Sequence, residues 1–501
     1  MQMSKTATVR FDTRELIGEI SPLLWGGFAE HLGRCVYEGI YDPESPLSDE
    51  RGFRRDVLAA LAEMKLSILR YPGGNFVSGY DWKDGVGPRD QRPRRRDLAW
   101  RSVETNQFGT NEFIEYCAAL GVEPMMGVNL GTGTLSDVSA LVEYCNAPVG
   151  TEWADLRSRH GYPKPHAVKY WCLGNEMDGP WQIGAMDAQD YGNKARECAK
   201  IMKWHDRGIK TILCGSSTPS MKTFGDWDRT ALLAAWEHTD YLSLHNYANN
   251  RANDTGDFLG YAAEFDRQIN ALRTVLNEVK QKHNSKRNVH LCWDEWNVWY
   301  KDTNGDGKWT VAPHLCEEVY NLEDGLVVAQ WMNAFLRHCD VLKIACIAQI
   351  VNVISPLLTT RQKVLKQSTF FPFVMFSNHA KGKSLRAQVS AGKYETKRFG
   401  EVSVLDVQGS WDEESGTGAV FLLHRGMTES LPVEIRWAGE APKKVVEVQQ
   451  ISGPDPKAAN SFERPEVVVP RRLSNPAVAG DRVEMKLPPM SFTMVRVDWR
   501  V

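Results

Sequence analysis

VKYWCLGNE at 168–176 is a β-rich apolar run that breaks into Gly-Asn-Glu, and VHLCWDEWN at 289–297 repeats the pattern, breaking into Asp-Glu-Trp-Asn. Working outward from these two, six more such runs lie at 23–28, 66–71, 124–129, 211–215, 241–245 and 344–351. Between them fall stretches with apolar residues at three- and four-residue spacing, at 53–64, 111–120, 188–205, 257–282 and 323–338, the signature of amphipathic helices. Eight strand-then-helix units in succession predict an α/β fold, a (β/α)8 TIM barrel, with an open doubly wound sheet as the alternative. After about residue 381 the helical period stops. Short alternating runs bounded by Gly, Pro, Ser and Asp follow at 401–408, 419–424, 433–437, 445–451, 482–487 and 491–498, which predict an antiparallel, jelly-roll-like β-sandwich. The segment 6–11 also alternates and is expected to cross over and join that sandwich. The division expected is therefore 1–17 as a strand of the sandwich, 18–381 as the barrel and 382–501 as the sandwich, with 453–479 as its long surface loop.

Composition narrows the function. Lys+Arg 60 against Asp+Glu 63 leaves a net charge of −3, too little field to gather nucleic acid or an anionic membrane. Hydrophobic residues at 42% suit a folded, soluble protein. The first twenty residues hold no continuous apolar stretch, and 344–358 is interrupted by Gln349, Asn352 and Pro356, so neither a signal peptide nor a membrane span is expected. Ten cysteines without a CxxC pair, several inside apolar runs, read as buried thiols in a reducing, cytoplasmic compartment.

In a (β/α)8 barrel the chemistry sits at the carboxy-terminal strand ends, so the polar residues that follow each apolar run are the informative ones. The fourth and seventh strands end in Glu176 and Glu295 and face each other across the barrel. Paired carboxylates flanking one bond are what glycoside hydrolysis requires, one to protonate the leaving oxygen and one to attack or activate water. Other strand ends add hydrogen-bonding groups suited to sugar hydroxyls: Glu30 and His31, Arg70 to Asn75, Asn129, His245 to Tyr247, and Gln349 with Asn352. Arg70 is placed to hold the strand-seven carboxylate ionised, and His245 is either a supporting or a merely structural histidine.

Three motifs carry less. Gly131-Thr-Gly133-Thr-Leu-Ser136 lacks the third glycine of a dinucleotide fingerprint. Asp302-Thr-Asn304-Gly-Asp306-Gly307 opens like a calcium loop but has Pro313 where a bidentate glutamate belongs. The basic run 92–96 is expected to be a solvated loop pairing with Asp90 and Asp97. No metal-ligand spacing of His and Cys appears, so no metal and no cofactor are expected.

GGFAEHLGRCVYEGIYDP at 26–43, RYPGGNFVSGYDWKDGVGP at 70–88, WCLGNEMDGPWQ at 171–182, LSLHNY at 242–247 and DEWNVWY at 294–300 together resemble the intracellular α-L-arabinofuranosidases of glycoside hydrolase family 51. The resemblance spans the whole chain. It implies Glu176 as general acid/base and Glu295 as nucleophile of a retaining exo-enzyme. It implies Glu30, Asn75, Asn175, Tyr247 and Gln349 as binding the arabinofuranose or supporting the nucleophile, and Phe28, Trp100 and Trp299 as aromatic groups around the subsites. Arabinofuranosyl oligosaccharides from arabinan or arabinoxylan are then the expected partners, and a homo-oligomer, hexameric in that family, the expected assembly. An endo-acting β-glucanase or xylanase of the same clan would share both glutamates, and a non-catalytic carbohydrate-binding protein could keep the fold.

Overall fold

The barrel closes at a glycine. Gly26 pairs with Cys346, and a Cβ on it would sit 2.6 Å from the Ala345 carbonyl oxygen and 2.7 Å from Ile68, so the seam between first and last strands admits no side chain there. The computed structural model describes residues 6–301 and 308–500; the calcium-loop-like segment 302–307 lies outside the described residues. Eight parallel strands form the closed barrel: Gly26–Phe28, Ile68–Tyr71, Glu123–Val128, Tyr170–Leu173, Lys210–Leu213, Tyr241–Ala248, His290–Val298 and Leu342–Ala348. They are the eight apolar runs of the sequence in order.

The crossover helices follow from local sequence. Ala188–His205 starts where the Asp187 carboxylate accepts from the Gln189 and Asp190 amides, and Thr110–Leu120 ends at Gly121 in the left-handed conformation. The expected helix 257–282 is two, Thr255–Phe258 and Ala262–Lys282. Leu322–Arg337 is buried throughout residues 322–336, because the barrel lies on one face and the sandwich covers the other. Phe370–His379 was not expected from sequence. It is apolar all round, so it shows no stripe, and it is wedged between the two layers, where Phe376 stacks on Phe421 at 4.0 Å and on Phe492 at 5.4 Å.

The sandwich packs a five-stranded sheet on a seven-stranded one around Val9, Phe11, Val407, Leu422, Ile435, Trp437, Val483 and Val495. Ala7–Asp12 lies in the first sheet and Leu16–Glu19 in the second, each beside strands from the far end of the chain. Ala7–Asp12 runs parallel to Leu431–Ala438, while the other ladders among the described sandwich strands are antiparallel. The expected surface loop 453–479 is corrected in part. Pro456 and Ala458 offer carbonyls to the Glu323 and Leu322 amides at the start of helix Leu322–Arg337, and Lys457 Nζ bonds the buried Glu323 carboxylate. Its polar character therefore serves a helix terminus on the barrel as well as solvent.

Candidate active site

Glu176, Glu295, Arg70, Asn175, His245 and Tyr247 meet at the carboxy-terminal mouth of the barrel and touch one another. Arg70 is the hub. Its Nη1 donates to Glu295 Oε1 at 2.6 Å, Nη2 donates to Asn175 Oδ1 at 2.7 Å, Nε lies 3.3 Å from Asp294 Oδ2, and its guanidinium packs over the Phe28 ring at 4.4 Å. Tyr247 OH donates to Glu295 Oε2 at 2.8 Å, and the Trp299 ring meets Tyr247 edge-on at 4.9 Å. Glu176 receives two donors: Trp181 Nε1 at 2.5 Å on Oε2, and His245 Nδ1 at 2.9 Å on Oε1. His245 also faces Asp294, Nε2 to Oδ1 at 3.4 Å. Glu176, His245 and Glu295 each offer a polar atom within 4.8 Å of the others.

A second cluster stands beside the first. Glu30 accepts from the Phe76 amide at 3.1 Å, from Trp100 Nε1 at 2.9 Å and from Gln349 Nε2 at 3.1 Å. The chain at Gly73-Gly74 threads between the two clusters. A Cβ on Gly73 would lie 2.7 Å from Glu30 Cγ and one on Gly74 2.9 Å from Glu295 Oε1, which leaves only glycine to bring this backbone in. Half-buried Asn75 follows directly at the head of a short 3-10 turn.

Electrostatics separates the carboxylates. Burial raises the Glu176 pKa; its bond from His245 opposes this and the Glu295 charge adds to it. Burial therefore leads, ahead of the neighbouring carboxylate. Glu30 is raised to about 8 by burial and by the Glu295 charge. Asp294 goes the other way: burial would raise it, but Arg70 and His245 bring it to about 2. Burial would lower His245, yet Glu295, Asp294 and Glu176 lift it to about 10. In this set Arg70 pairs with Glu295 and His245 Nδ1 meets Glu176, so these groups are already committed to protein partners.

Several sequence readings change. Asn129 turns away from the barrel mouth and accepts from the amides of Gly131, Thr132 and Gly133, which uses up the amides that a phosphate would need. Asn352 holds the Arg34 carbonyl and Thr359, and His31 pairs with Glu104 at 2.8 Å; both are structural. The basic run pairs differently from expectation. Arg92 is buried against Glu112 at 2.9 Å; Arg95 reaches Asp84 at 2.7 Å and Arg96 covers Trp309, because 95–104 folds into a hairpin that points these two side chains apart. Asp97 instead caps the tip, accepting from the Ala99 and Trp100 amides.

With this geometry in place, the relatives are informative. A family model described as the alpha-L-arabinofuranosidase 1 domain matches residues 60–270, and one described as the alpha-L-arabinofuranosidase C-terminal domain matches 294–491. The chain is 43% identical over 499 residues, 99% of each chain, to an intracellular exo-alpha-(1->5)-L-arabinofuranosidase of Halalkalibacterium halodurans. A solved family 51 alpha-L-arabinofuranosidase from Bifidobacterium longum superposes with a TM-score of 0.95 at 36% identity, covering 99% of this chain and 100% of that one. This chain belongs to the α-L-arabinofuranosidases of glycoside hydrolase family 51. Also similar, at 40% identity over 96% of this chain and 95% of its own, is an exo-alpha-(1->6)-L-arabinofuranosidase of Bifidobacterium longum. Like its relatives, this arabinofuranosidase is a glycoside hydrolase.

Two residues of the arabinofuranosidase site carried no role in the sequence reading. Trp181, 48% exposed and bonded to Glu176, lies inside the WCLGNEMDGPWQ stretch but in an irregular loop whose direction no periodicity reveals. Asp294 adjoins Glu295 on a strand, where simple alternation would send it to the opposite face.

Proposed function

We propose that this enzyme removes terminal α-L-arabinofuranosyl groups from arabinan- or arabinoxylan-derived oligosaccharides by retaining double displacement. The observation that carries the reading is the closeness of the two carboxyl groups, with oxygens within 4.8 Å, in environments that separate their roles. Retaining glycosidases hold their pair about 5–5.5 Å apart, too close for an intervening water.

In the first step neutral Glu176 protonates the glycosidic oxygen while ionised Glu295, oriented by Arg70 and Tyr247, attacks the anomeric carbon. The C–O bond to the leaving alcohol breaks as the ester to Glu295 forms. In the second step Glu176, now a carboxylate, takes a proton from water, which displaces the ester and returns the free sugar. Glu30, Gln349, Asn75 and Asn175 supply hydrogen bonds to the sugar, and Phe28, Trp100 and Trp299 supply its apolar walls. Asn175, adjacent to the acid and fixed by Arg70, is placed for the 2-hydroxyl, whose bond strengthens in the oxocarbenium-like transition state. Ten buried cysteines support a reducing, cytoplasmic setting, and a hexamer is proposed on the family resemblance.

Azide separates the two glutamates. In Glu176→Ala an arabinoside with an activated leaving group still esterifies Glu295, and azide, which needs no general base, attacks that ester to give arabinosyl azide of retained configuration. In Glu295→Ala azide enters the vacated space and gives the inverted azide. Exchange of those outcomes between the variants reverses the roles, and near wild-type rates in both place the site elsewhere.

A further inference from the structure

Asp294 and Glu295 are consecutive on one strand, yet both side chains point into the barrel. Regular alternation forbids this. The ladders on both sides of the strand are irregular here, between Ser243 and His245 on one neighbour and between Trp293 and Trp296 along the other, and such a bulge re-aims a side chain. Asp294 is 1% exposed, accepts from the Ser243 hydroxyl, and lies in ion-pair range of Arg70 Nε at 3.3 Å and of His245 Nε2 at 3.4 Å. The two cations that it touches are the two that touch Glu295 and Glu176.

We propose that Asp294 is a positioning residue that keeps His245 as an imidazolium aimed at Glu176 and, with Arg70, sets the charge balance by which Glu176 changes from acid to base. This rests on the reading of Glu176 and Glu295 as the reacting pair. In the resting site Asp294 and Glu295 oppose Arg70 and His245 one for one, so burial can keep Glu176 neutral. When Glu295 becomes an ester its charge is consumed, and the proton of Glu176 leaves with the alcohol. Arg70 and His245 then face Asp294 alone, and the excess positive charge favours the Glu176 carboxylate that the second step needs.

The groups around His245 are Glu176 from the loop after strand four, Asp294 and Glu295 from strand seven, Arg70 from strand two, and Ser243 and Tyr247 from its own strand. Burial and the Glu295 charge hold the Tyr247 hydroxyl neutral, and Glu176 is neutral at rest. Of the charges near the imidazole, the one that persists through both steps beside Nε2 is Asp294.

The test is nitrogen NMR of the full-length enzyme with labelled histidine, the His245 signal assigned by its loss in His245→Gln. In the wild type both ring nitrogens are expected to be protonated through neutral pH. In Asp294→Asn, His245 is expected to titrate at least about one pH unit lower, and the basic limb of kcat to move down with it, kcat falling about tenfold or more while KM changes by about threefold or less. An unmoved His245 titration in Asp294→Asn, or a neutral His245 in the wild type near pH 7, overturns the proposal. If Asp294→Asn does not fold, Ser243→Ala withdraws one donor from Asp294 and must shift the same titration in the opposite sense, upward, because the carboxylate then leans more on the imidazolium; no shift overturns it. The azide experiment leaves Asp294 intact, so failure of the reacting pair is read separately.

Discussion

Arg70 reaches across the barrel from the second strand to place Nη1 2.6 Å from Glu295 Oε1, while its other nitrogens are committed to Asn175 and Asp294. A single ammonium cannot serve three acceptors in a plane. Removing one partner of a buried ion pair typically costs ~3–5 kcal/mol. Arg70→Lys is therefore expected to lower kcat/KM on an aryl arabinofuranoside about 100-fold or more. Retention of wild-type kcat/KM would show that Glu295 does not depend on this fork.

The barrel was legible because its eight strands are buried on both faces and read as apolar runs, and because strand ends declare themselves as abrupt polar residues such as Gly174-Asn175-Glu176. Glu176, Glu295 and Arg70 could be placed by that logic. Asp294 could not, since its inward direction comes from a register slip between strands, which is a property of the neighbours' sequences as much as its own. Phe370–His379 escaped for a related reason: period analysis finds helices with one wet face, and this one has none. The pairing of Arg92 with Glu112 was hidden because the acid sits in the first turn of helix Thr110–Leu120, far along the chain, and only the fold brings the two together.

Glu30 predicts a pH effect on stability. Its folded pKa of about 8 lies above the ordinary 4.5. The unfolded chain gives up this proton from about pH 4.5 while the folded protein keeps it, so this group's contribution to stability is present below about 4.5 and lost as pH rises toward 8. Glu30→Gln, always neutral, should therefore show a flatter decline of Tm between pH 5 and 8 than the wild type, by about 2 °C or more, as read by scanning calorimetry at one scan rate. An identical slope in both proteins would mean that Glu30 is ionised in the fold.

Phe376 links barrel and sandwich by stacking on Phe421 and Phe492. It is fully buried. Phe376→Ala should lower stability by about 3–5 kcal/mol, seen as a fall in Tm, with kcat/KM per folded molecule nearly unchanged at low temperature. Deleting everything after residue 381 goes further, because it bares this helix and the covered face of Leu322–Arg337, and is expected to give insoluble protein. A freely soluble, active barrel fragment would contradict both expectations.

The hairpin that carries Trp100 offers a test of substrate positioning. Asp97 accepts from the Ala99 amide at 3.0 Å, the Trp100 amide at 3.1 Å and Ser102 Oγ at 3.2 Å, and Trp100 Nε1 then reaches Glu30. Burial raises the Asp97 pKa to about 6, so the cap is ionised, and at its strongest as an acceptor, above that pH. Asp97→Ala unties the turn without touching Glu176 or Glu295. The tryptophan should then sample other orientations, and KM for a small arabinofuranoside should rise about tenfold while kcat at saturation falls by about threefold or less. Asp97→Asn keeps one carbonyl acceptor and should fall between the two. Steady-state kinetics at pH 7.5, read beside Trp100→Ala, decides it, since both substitutions must raise KM if the cap works through Trp100. A rise in KM with Trp100→Ala but none with Asp97→Ala would show that packing of the indole alone keeps it in place.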